Sequence, residues 1–301
     1  MKKMKSINMP SLISLMNGNR LEDILKQIAE ENGINYKNSS PLSGGDINEV
    51  YLLEGQSEKF VVKLNNASRF PGMFDAEKFG LEKLAEPKVI DIPIPFSTGI
   101  ANEMAYLILE HKDSAQRNAK FWESFGEQMA ELHKTTAQNF GLEKDNYIGS
   151  LPQYNESKDS AAEFYINMRL QPQIKMAEEK GFHLNVSDSF FKNCELLIPD
   201  ERPSLVHGDL WNGNYLVNSE GLPCLIDPAI AFAPREMDLG MMKLFGGFND
   251  RIFQVYNEVF PLESDWEKRI PLWQLYYLLV HLNIFGAGYR SQVTSIIKSF
   301  S

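Results

Sequence analysis

The stretch Leu205–Pro228, LVHGDLWNGNYLVNSEGLPCLIDP, combines two short apolar runs with three polar residues at their edges. The runs NYLV and CLI predict a pair of strands. Asp209, Asn214 and Asp227 lie where these strands begin or end, where burial of polar groups is costly. A bound metal ion explains all three residues, and so does a surface hairpin with ordinary turn residues. The rest of the chain has to decide between these two interpretations.

Length and composition place the chain among ordinary globular proteins. It has 301 residues, enough for one large or two medium domains, and its hydrophobic and charged fractions are 43% and 23%. The formal net charge is −10. Because nucleic-acid binding requires clustered Lys and Arg to neutralise phosphates, we expect no nucleic-acid partner. The acidic balance is compatible with a cationic or neutral substrate.

Cysteine usage and the apolar segments indicate a cytoplasmic protein. Cys194 and Cys224 are the two cysteines, and without a CxxC pair they predict reduced, buried thiols. The opening MKKMKSINMPSLISLMNGN has polar interruptions that exclude a secretory signal. The most apolar late segment, LWQLYYLLVHLNIFGAGY, contains polar residues and predicts a buried helix rather than a membrane span. We therefore expect no membrane partner.

The periodicity of apolar residues predicts an α+β fold of two lobes. Residues 1–111 are expected to form a small antiparallel sheet with an N-terminal helix and one main helix. Residues 112–301 are expected to form a larger helical lobe that contains the quoted strand pair. In the first lobe the predicted elements are helices 21–31 and 74–86 and strands 49–53, 60–64 and 105–110.

The segment HGDLWNGN contains a spacing that is typical of phosphoryl transfer. Asp209 and Asn214 are five residues apart, as in the Asp-x-x-x-x-Asn catalytic loop of kinases. That chemistry needs a carboxylate to orient the attacking hydroxyl and a neutral oxygen ligand for magnesium nearby. Asp227 follows a predicted strand, where a second hard ligand belongs. One or two protein carboxylates are enough for magnesium, because the nucleotide phosphates supply the other ligands.

An upstream group of residues predicts a phosphate clamp. Gly44 and Gly45 directly precede a predicted strand, where glycines permit a close approach of the backbone to phosphates, although a simple turn is the commoner role. Lys63 lies inside the next apolar strand, where an unpaired ammonium is expensive to bury. We predict Glu77, on the following helix, as its partner.

Three other interpretations of the clamp residues stay open. Glu82 or Lys78 is an alternative to Glu77 on the helix, and a solvated charged face is the structural alternative for all three.

The polar end of the strand AYLILE predicts an adenine-binding hinge. There the backbone groups of Glu110 to Lys112 would bind the base.

The ordered motifs resemble the aminoglycoside phosphotransferase-like superfamily, in which HGDxxxxN is followed by a DP pair. Within it, the chain is most similar to the fructosamine (ketosamine-3-) kinase family, and the resemblance extends from about Pro41 onward. Four further segments carry it: GLEKDNYIGSLPQYN at 141–155, EFYINMRLQPQ at 163–173, PREMDLGMMKLFGGF at 234–248 and LWQLYYLLVHLNIFGAGY near the end.

The resemblance implies a protein-kinase-like fold and ATP-dependent phosphorylation of the 3-hydroxyl of ketosamines, the adducts of reducing sugars on lysine or protein amines. The 3-phosphate then destabilises the adduct and the amine is released. By position, Asp209 is the implied base, and Asn214 and Asp227 are the implied Mg²⁺ ligands. Lys63 with Glu77 is the implied phosphate clamp, beneath a loop that contains the paired glycines.

The resemblance also suggests roles around the substrate and the loops. Trp211 is expected to line the sugar pocket, with core packing as the alternative. His281 and Asn283 are expected to face the substrate, with a buried hydrogen-bonded pair as the alternative. His207 is expected to be a scaffold residue. Arg235 and Asp238 are expected to brace the metal loop from behind. Some family members have a cysteine in the glycine loop, but this chain has Asp46, so we expect no redox switch.

Two rival functions remain at this stage. One is another small-molecule kinase of the same superfamily, acting on an aminoglycoside, choline or a sugar. The other is a catalytically inactive nucleotide-binding pseudokinase, which would be expected to lose at least one of the key polar residues, whereas this chain retains them all. The expected partner is a small ketoamine or a glycated protein, and the expected state is a monomer or weak dimer.

Overall fold

The computed structural model describes residues 18–42 and 47–301. Its helices and strands, in chain order, are α1 Gly18–Glu31, β1 Asn38–Pro41, β2 Glu49–Glu54, β3 Lys59–Asn66, α2 Met73–Ala85, β4 Pro95–Ala101, β5 Met104–Glu110, α3 Phe121–His133, β6 Asn146–Ile148, β7 Leu151–Gln153, α4 Ala161–Phe164, α5 Gln171–Glu179, α6 Asp188–Leu197, β8 Ser204–Val206, β9 Tyr215–Val217, β10 Pro223–Leu225, β11 Ala231–Ala233, α7 Glu236–Leu244, α8 Asp250–Val259, α9 Trp266–Phe285 and α10 Arg290–Ser299. A π-helical segment, Tyr165–Leu170, joins α4 to α5.

The chain divides into two units. The smaller one contains the described residues up to Lys78 together with Pro93–Lys112, and the larger one contains Phe79–Ile92 and Asp113–Ser301. The last of the three boundaries between the units, after Lys112, lies one residue from the predicted lobe boundary. No pattern in the sequence indicates that residues 79–92, which include the end of α2, group with the larger unit.

The smaller unit is an antiparallel sheet with α1 packed on one face. The strand order is β1-β2-β3-β5-β4. Ile24, Leu25 and Ile28 of α1 pack into the same buried core as Leu53 and Val62 of the sheet. The apolar spacing along α1 therefore predicts its buried face correctly, and α1 ends just before Gly33, which has a left-handed φ of +69°.

Strand β4 was not predicted from the sequence. Its seven residues, PFSTGIA, contain a proline and a glycine, and a register shift between Pro95 and Ser97 interrupts its pairing with β5. An edge strand with a bulge has neither the continuous apolar run nor the strict alternation on which strand prediction depends.

The larger unit is mainly helical and carries three two-stranded sheets. Helix α9 lies at the centre of its core, where Leu272, Trp273 and Leu279 are completely buried. The segment LWQLYYLLVHLNIFGAGY thus contributes a buried helix, as predicted. Within the described part of the chain, we find no helix with the length and apolar character needed to cross a membrane.

Candidate active site

The loop that follows β8, residues 207–214, is named here the Asp209 loop. Asn214 Nδ2 donates to the Asp209 backbone oxygen at 2.8 Å and to Asp209 Oδ2 at 3.2 Å. The five-residue spacing predicted from the sequence therefore brings the two side chains into direct contact. Trp211 N also donates to Asp209 O, at 3.1 Å, which closes the loop into a tight turn.

Asp227 lies beside this loop because β9 and β10 pair antiparallel. The register places Tyr215 opposite Leu225, so the residue before β9 lies next to the residues after β10. Ile226 N donates to Asn214 O at 3.1 Å, and Asn214 Nδ2 lies 3.5 Å from the Asp227 backbone oxygen. We call residues 226–230 the Asp227 loop. The three polar residues at the edges of the quoted strands thus converge.

The electrostatics of this group suit a divalent cation. Burial, and then the neighbouring Asp227 carboxylate, raise the pKa of Asp209 well above its usual range. Among the residues that the structure describes, the Asn214 side chain forms its hydrogen bonds through the amide nitrogen, which leaves the amide oxygen as the atom suited to a cation. Two carboxylates and an amide oxygen form the hard-oxygen donor set that Mg²⁺ prefers. In residues 18–42 and 47–301 no group of three or more His, Cys, Asp or Glu side chains forms a richer metal site.

His207 joins the two loops. Its Nε2 donates to Ile226 O at 2.8 Å, and its Nδ1 accepts from Asp209 N at 3.2 Å. This pattern requires a neutral ring protonated on Nε2, and burial lowers the pKa of His207 in agreement with it. His207 therefore contacts both loops in the manner expected of a scaffold residue.

Gly208 allows the two loops to approach closely. Its φ is +81°, in the left-handed region that favours glycine. A Cβ atom at this position would lie 2.0 Å from the Ala229 backbone oxygen. Ala229 N in turn donates to His207 O at 2.9 Å. No other residue type fits here without moving one of the loops.

Asp238, at the start of α7, anchors the Asp209 loop from behind. Its two carboxylate oxygens accept from His207 N at 2.7 Å and from Gly208 N at 2.8 Å. His133 Nε2 lies 3.1 Å from Oδ2, and His133 Nδ1 lies 2.8 Å from the Tyr256 hydroxyl. Burial by itself would raise the pKa of Asp238, but the interactions with His133 and with the loop lower it.

The expectation that Arg235 also braces the metal loop is wrong. Arg235 forms a bidentate ion pair with Glu201 and donates to the carbonyl oxygens of Phe260 and Pro261, at 2.8 and 2.7 Å. Its guanidinium group also stacks on the Phe260 ring. The arginine joins α7 to the segment after α8, because its long side chain extends away from the loop that Asp238 contacts.

The smaller unit contains the predicted lysine–glutamate pair. Lys63 on β3 is buried, and its Nζ lies 2.5 Å from Glu77 Oε1 on α2. The predicted pairing is confirmed, whereas Glu82, the alternative acidic partner, is exposed. A lysine ammonium group has three N–H donors and can bind more than one anion. Its contact with phosphate remains a prediction.

The other predicted nucleotide contacts are less well defined. Gly44 and Gly45 lie outside the described residues. At the end of β5, Glu110 N donates to Ile94 O at 2.8 Å, and Glu110 Oε2 accepts from Ile94 N and pairs with Lys112 at 3.0 Å. The Glu110 amide is therefore already engaged, and the adenine-binding prediction depends on other main-chain groups of residues 110–112.

The three predicted substrate residues differ in position. Trp211 is 39% exposed, and its ring covers the backbone of Gly213, so it is not a core residue. His281 is half-buried among aromatic rings. Asn283 is buried, and its Nδ2 donates to Gln173 O and Oε1 at 2.9 and 2.8 Å. Asn283 thus matches the alternative of a buried, hydrogen-bonded residue, because its contact with Gln173 leaves its side chain almost no exposed surface.

The NYIGSLPQ segment has a scaffold role that the sequence did not reveal. It forms the β6–β7 hairpin, and Asn146 Nδ2 and Gln153 Nε2 donate to the carbonyl oxygens of Ile230 and Ala229, at 2.9 and 3.0 Å. Tyr276 of α9 donates to Gln153 Oε1 at 2.7 Å. The hairpin therefore fixes the Asp227 loop by its backbone. Polar side chains inside an otherwise apolar hairpin are the signal that could have indicated this.

Comparison with known proteins identifies the family. The fructosamine kinase family model matches residues 20–300. The chain belongs to the fructosamine kinase family. It is 35% identical over 267 residues to a probable ketoamine kinase of Enterococcus faecium, across 86% of this chain and 94% of that protein. It is 36% identical over 273 residues to the chloroplastic protein-ribulosamine 3-kinase of Arabidopsis thaliana, across 86% and 81%.

Solved structures agree with this assignment. A putative fructosamine-3-kinase from Haemophilus somnus has a TM-score of 0.83 at 28% identity, over 93% of this chain and 96% of that chain. Aminoglycoside phosphotransferase APH(4)-Ia, at 15% identity with a TM-score of 0.60 over 95% and 100%, shares the fold. The predicted α+β kinase-like fold, the family and the enzyme class, a phosphotransferase acting on a hydroxyl group, are therefore confirmed.

Proposed function

We propose that this fructosamine kinase family member transfers the terminal phosphate of Mg²⁺-bound ATP to the 3-hydroxyl of a ketosamine, with Asp209 as the residue that orients and deprotonates the hydroxyl. The observation that carries the proposal is the convergence of Asp209, Asn214 and Asp227 through the Asn214 amide. An isolated surface hairpin, the interpretation left open at the start, gives no reason for Asp209 and Asp227 to lie so close together.

Asp209 acts on the acceptor hydroxyl. A carboxylate whose pKa is raised by burial holds a proton more strongly than a solvated one, so it can accept the proton of an alcohol as the phosphate bond forms. The hydrogen bonds from Asn214 and the anchoring of the loop by Asp238 hold its orientation. Asp209 thus both aims the hydroxyl and accepts its proton.

Asn214 Oδ1 and the Asp227 carboxylate are the groups that would hold Mg²⁺. When bound, the metal neutralises charge on the phosphates during transfer. The left-handed φ of Asp227, +55°, is unusual for a non-glycine residue and aims its side chain differently from an extended continuation of β10. Lys63, oriented by Glu77, would neutralise phosphate oxygens, and the loop at Gly44 and Gly45 would cover them.

The proposed substrate is the ketosamine adduct of a lysine or protein amine. The Enterococcus relative is named a ketoamine kinase and the Arabidopsis relative a ribulosamine kinase, which supports a ketose joined to an amine. Ribulosamine, erythrulosamine and fructosamine differ by one or two CH(OH) groups, a difference that pocket shape and hydrogen bonds decide. The proposed setting is the cytoplasm.

The test is a substrate panel with Mg²⁺-ATP. Ribulosyl-lysine, fructosyl-lysine, an aminoglycoside and choline are incubated with the protein, and ADP and phosphorylated product are measured. We expect turnover of a ketoamine only, none in excess chelator, and a loss on the order of 10²–10⁴-fold in rate for Asp209→Ala. Turnover of the aminoglycoside but neither ketoamine would support the rival kinase. ATP binding without transfer to any acceptor would support the pseudokinase.

A further inference from the structure

Four aromatic rings form a cluster at the surface of the larger unit. The His281 ring centroid lies 4.9 Å from that of Phe245, 5.4 Å from Phe285 and 5.1 Å from Tyr289. Phe245 and Phe285 are 41% and 48% exposed, and the other two rings are half-buried. We name these four residues the aromatic patch. Exposed aromatic rings that are grouped in this way form an apolar surface on which a ligand can pack.

The loop after α7 brings the patch close to the Asp209 loop. Phe245 is followed by Gly246 and Gly247, both in the left-handed region with φ of +72° and +92°. A Cβ atom at position 247 would lie 2.6 Å from Asn212 Cβ, so the backbone there rests directly on the Asp209 loop. The segment that follows Phe245 therefore contacts the Asp209 loop at this point.

Helix α9 brings the patch near the site along a second route. Burial, then the neighbouring Asp238 and Tyr276 groups, and after them Asp209, raise the pKa of Tyr277 well above its usual range. His281 follows Tyr277 by one helical turn, a rise of about 5–6 Å. The patch thus begins about one turn of helix beyond the residue that Asp209 influences.

The hydrogen bond of His281 determines which of its nitrogens can accept. Nδ1 lies 2.7 Å from the Tyr277 backbone oxygen. A carbonyl oxygen only accepts, so Nδ1 carries the proton and Nε2 has a lone pair. Nε2 has no hydrogen-bond partner among residues 18–42 and 47–301. Burial lowers the pKa of His281, so the ring is neutral near neutral pH and does not repel a cation.

We propose that the aromatic patch binds the amine-bearing part of the ketosamine. In this assignment His281 Nε2 accepts a hydrogen bond from the protonated secondary amine, and Phe245, Phe285 and Tyr289 pack against the carbon chain attached to it. The proposal rests on the proposed function. It follows from the substrate's own connectivity, because the amine nitrogen is only four bonds from the 3-oxygen that Asp209 would orient.

The chemistry of the patch matches the amine-bearing part of the substrate. The secondary amine is the cationic group of a ketosamine that lies nearest the 3-hydroxyl, and aromatic faces attract cations. The nearest basic residue in sequence, Arg290, donates to His183 O at 3.4 Å, so its charge is directed to another segment. A hydrogen bond from a charged ammonium group to His281 is stronger than one from the hydroxyl of a sugar that carries oxygen in place of nitrogen, so His281 favours the amine.

The test compares a ketoamine with the free ketose of the same carbon skeleton, which retains the 3-hydroxyl but lacks the amine. Steady-state kcat and KM are measured for the wild type, His281→Phe and His281→Gln. Phenylalanine keeps a ring and removes the acceptor, whereas glutamine keeps an acceptor. We expect His281→Phe to lower kcat/KM for the ketoamine about 10- to 100-fold, with a change for the free ketose that is several-fold smaller. His281→Gln should recover part of the loss.

A second pair of variants tests the rings without altering the acceptor. Phe285→Leu should raise KM several-fold for a ketosamine of Nα-acetyl-lysine and leave the methylamine adduct unchanged, because only the first has a chain long enough to contact the ring. Leu196→Ala, at an 84% exposed position on α6, is the surface control and should change neither. Equal effects of His281→Phe on ketoamine and free ketose, or no effect of any variant, would overturn the inference. A wild type that phosphorylates no ketoamine would instead overturn the proposed function.

Discussion

Replacing Gly208 with alanine should displace the Asp209 loop from the Asp227 loop. Backbone strain at a φ of +81° costs a non-glycine residue about 1–2 kcal/mol. In addition, the new Cβ would lie 2.0 Å from Ala229 O, whereas ordinary contact begins at 3.4 Å. The difference between 3.4 and 2.0 Å is 1.4 Å, which one loop must move. Since a 1 Å misplacement can cost about 10²-fold in rate, we expect at least that loss of kcat.

Gly181 provides the matched control, because its φ is +80° and nothing lies within 4 Å of its Cβ position. Gly181→Ala should therefore show the strain alone, about 1–2 kcal/mol, with unchanged kcat. Urea unfolding gives the free energies, and ketoamine-dependent ADP release gives the rates. Equal destabilisation by the two alanines, together with full turnover of Gly208→Ala, would refute the close approach of the loops.

Three further predictions concern buried polar groups. Tyr277 is fully buried, and its hydroxyl has no hydrogen-bond partner among the described residues. Tyr277→Phe should therefore stabilise the protein by about 1 kcal/mol, seen in calorimetry as a Tm rise of about 2 °C. A lower Tm would contradict this. Glu77→Gln removes the charge partner of Lys63 and should lower kcat/KM for ATP about 10- to 100-fold, with unaltered kinetics arguing against the clamp. Burial lowers the pKa of His207 below its unfolded value, so acidification below about pH 6.5 protonates the unfolded chain first. The free energy of unfolding should then decrease by up to about 1.4 kcal/mol per pH unit. His207→Asn should lack this pH dependence, and an identical slope in both proteins would contradict the prediction.

The parts of the site that could be predicted from the sequence depend on local spacing. Asp209 and Asn214 belong to one loop, so five residues of separation nearly determine their contact. Asp227 follows from strand pairing, because an antiparallel hairpin places the residue before one strand beside the residue after the other. Lys63 and Glu77 are separated by a turn, yet a buried ammonium demands an anion and few candidates were within reach.

The parts that were missed or wrong depend on contacts between distant segments. Arg235 lies three residues from Asp238 and was expected to act with it, but its partner Glu201 is 34 residues away and no local pattern indicates this choice. Asn283 resembled a site residue because it is polar in an apolar helix, and its partner Gln173 is 110 residues away. Strand β4 depends on its neighbour in the sheet more than on its own composition.

The β6–β7 hairpin holds the Asp227 loop through backbone contacts, which do not depend on the side chains of that loop. Asn146 and Gln153 bind main-chain oxygens, so the side chains at positions 229 and 230 can change while both hydrogen bonds persist. A relative could acquire a different sugar or amine preference without altering this hairpin. The NYIGSLPQ hairpin therefore holds the backbone of the Asp227 loop in place. The choice of acceptor depends on residues at other positions.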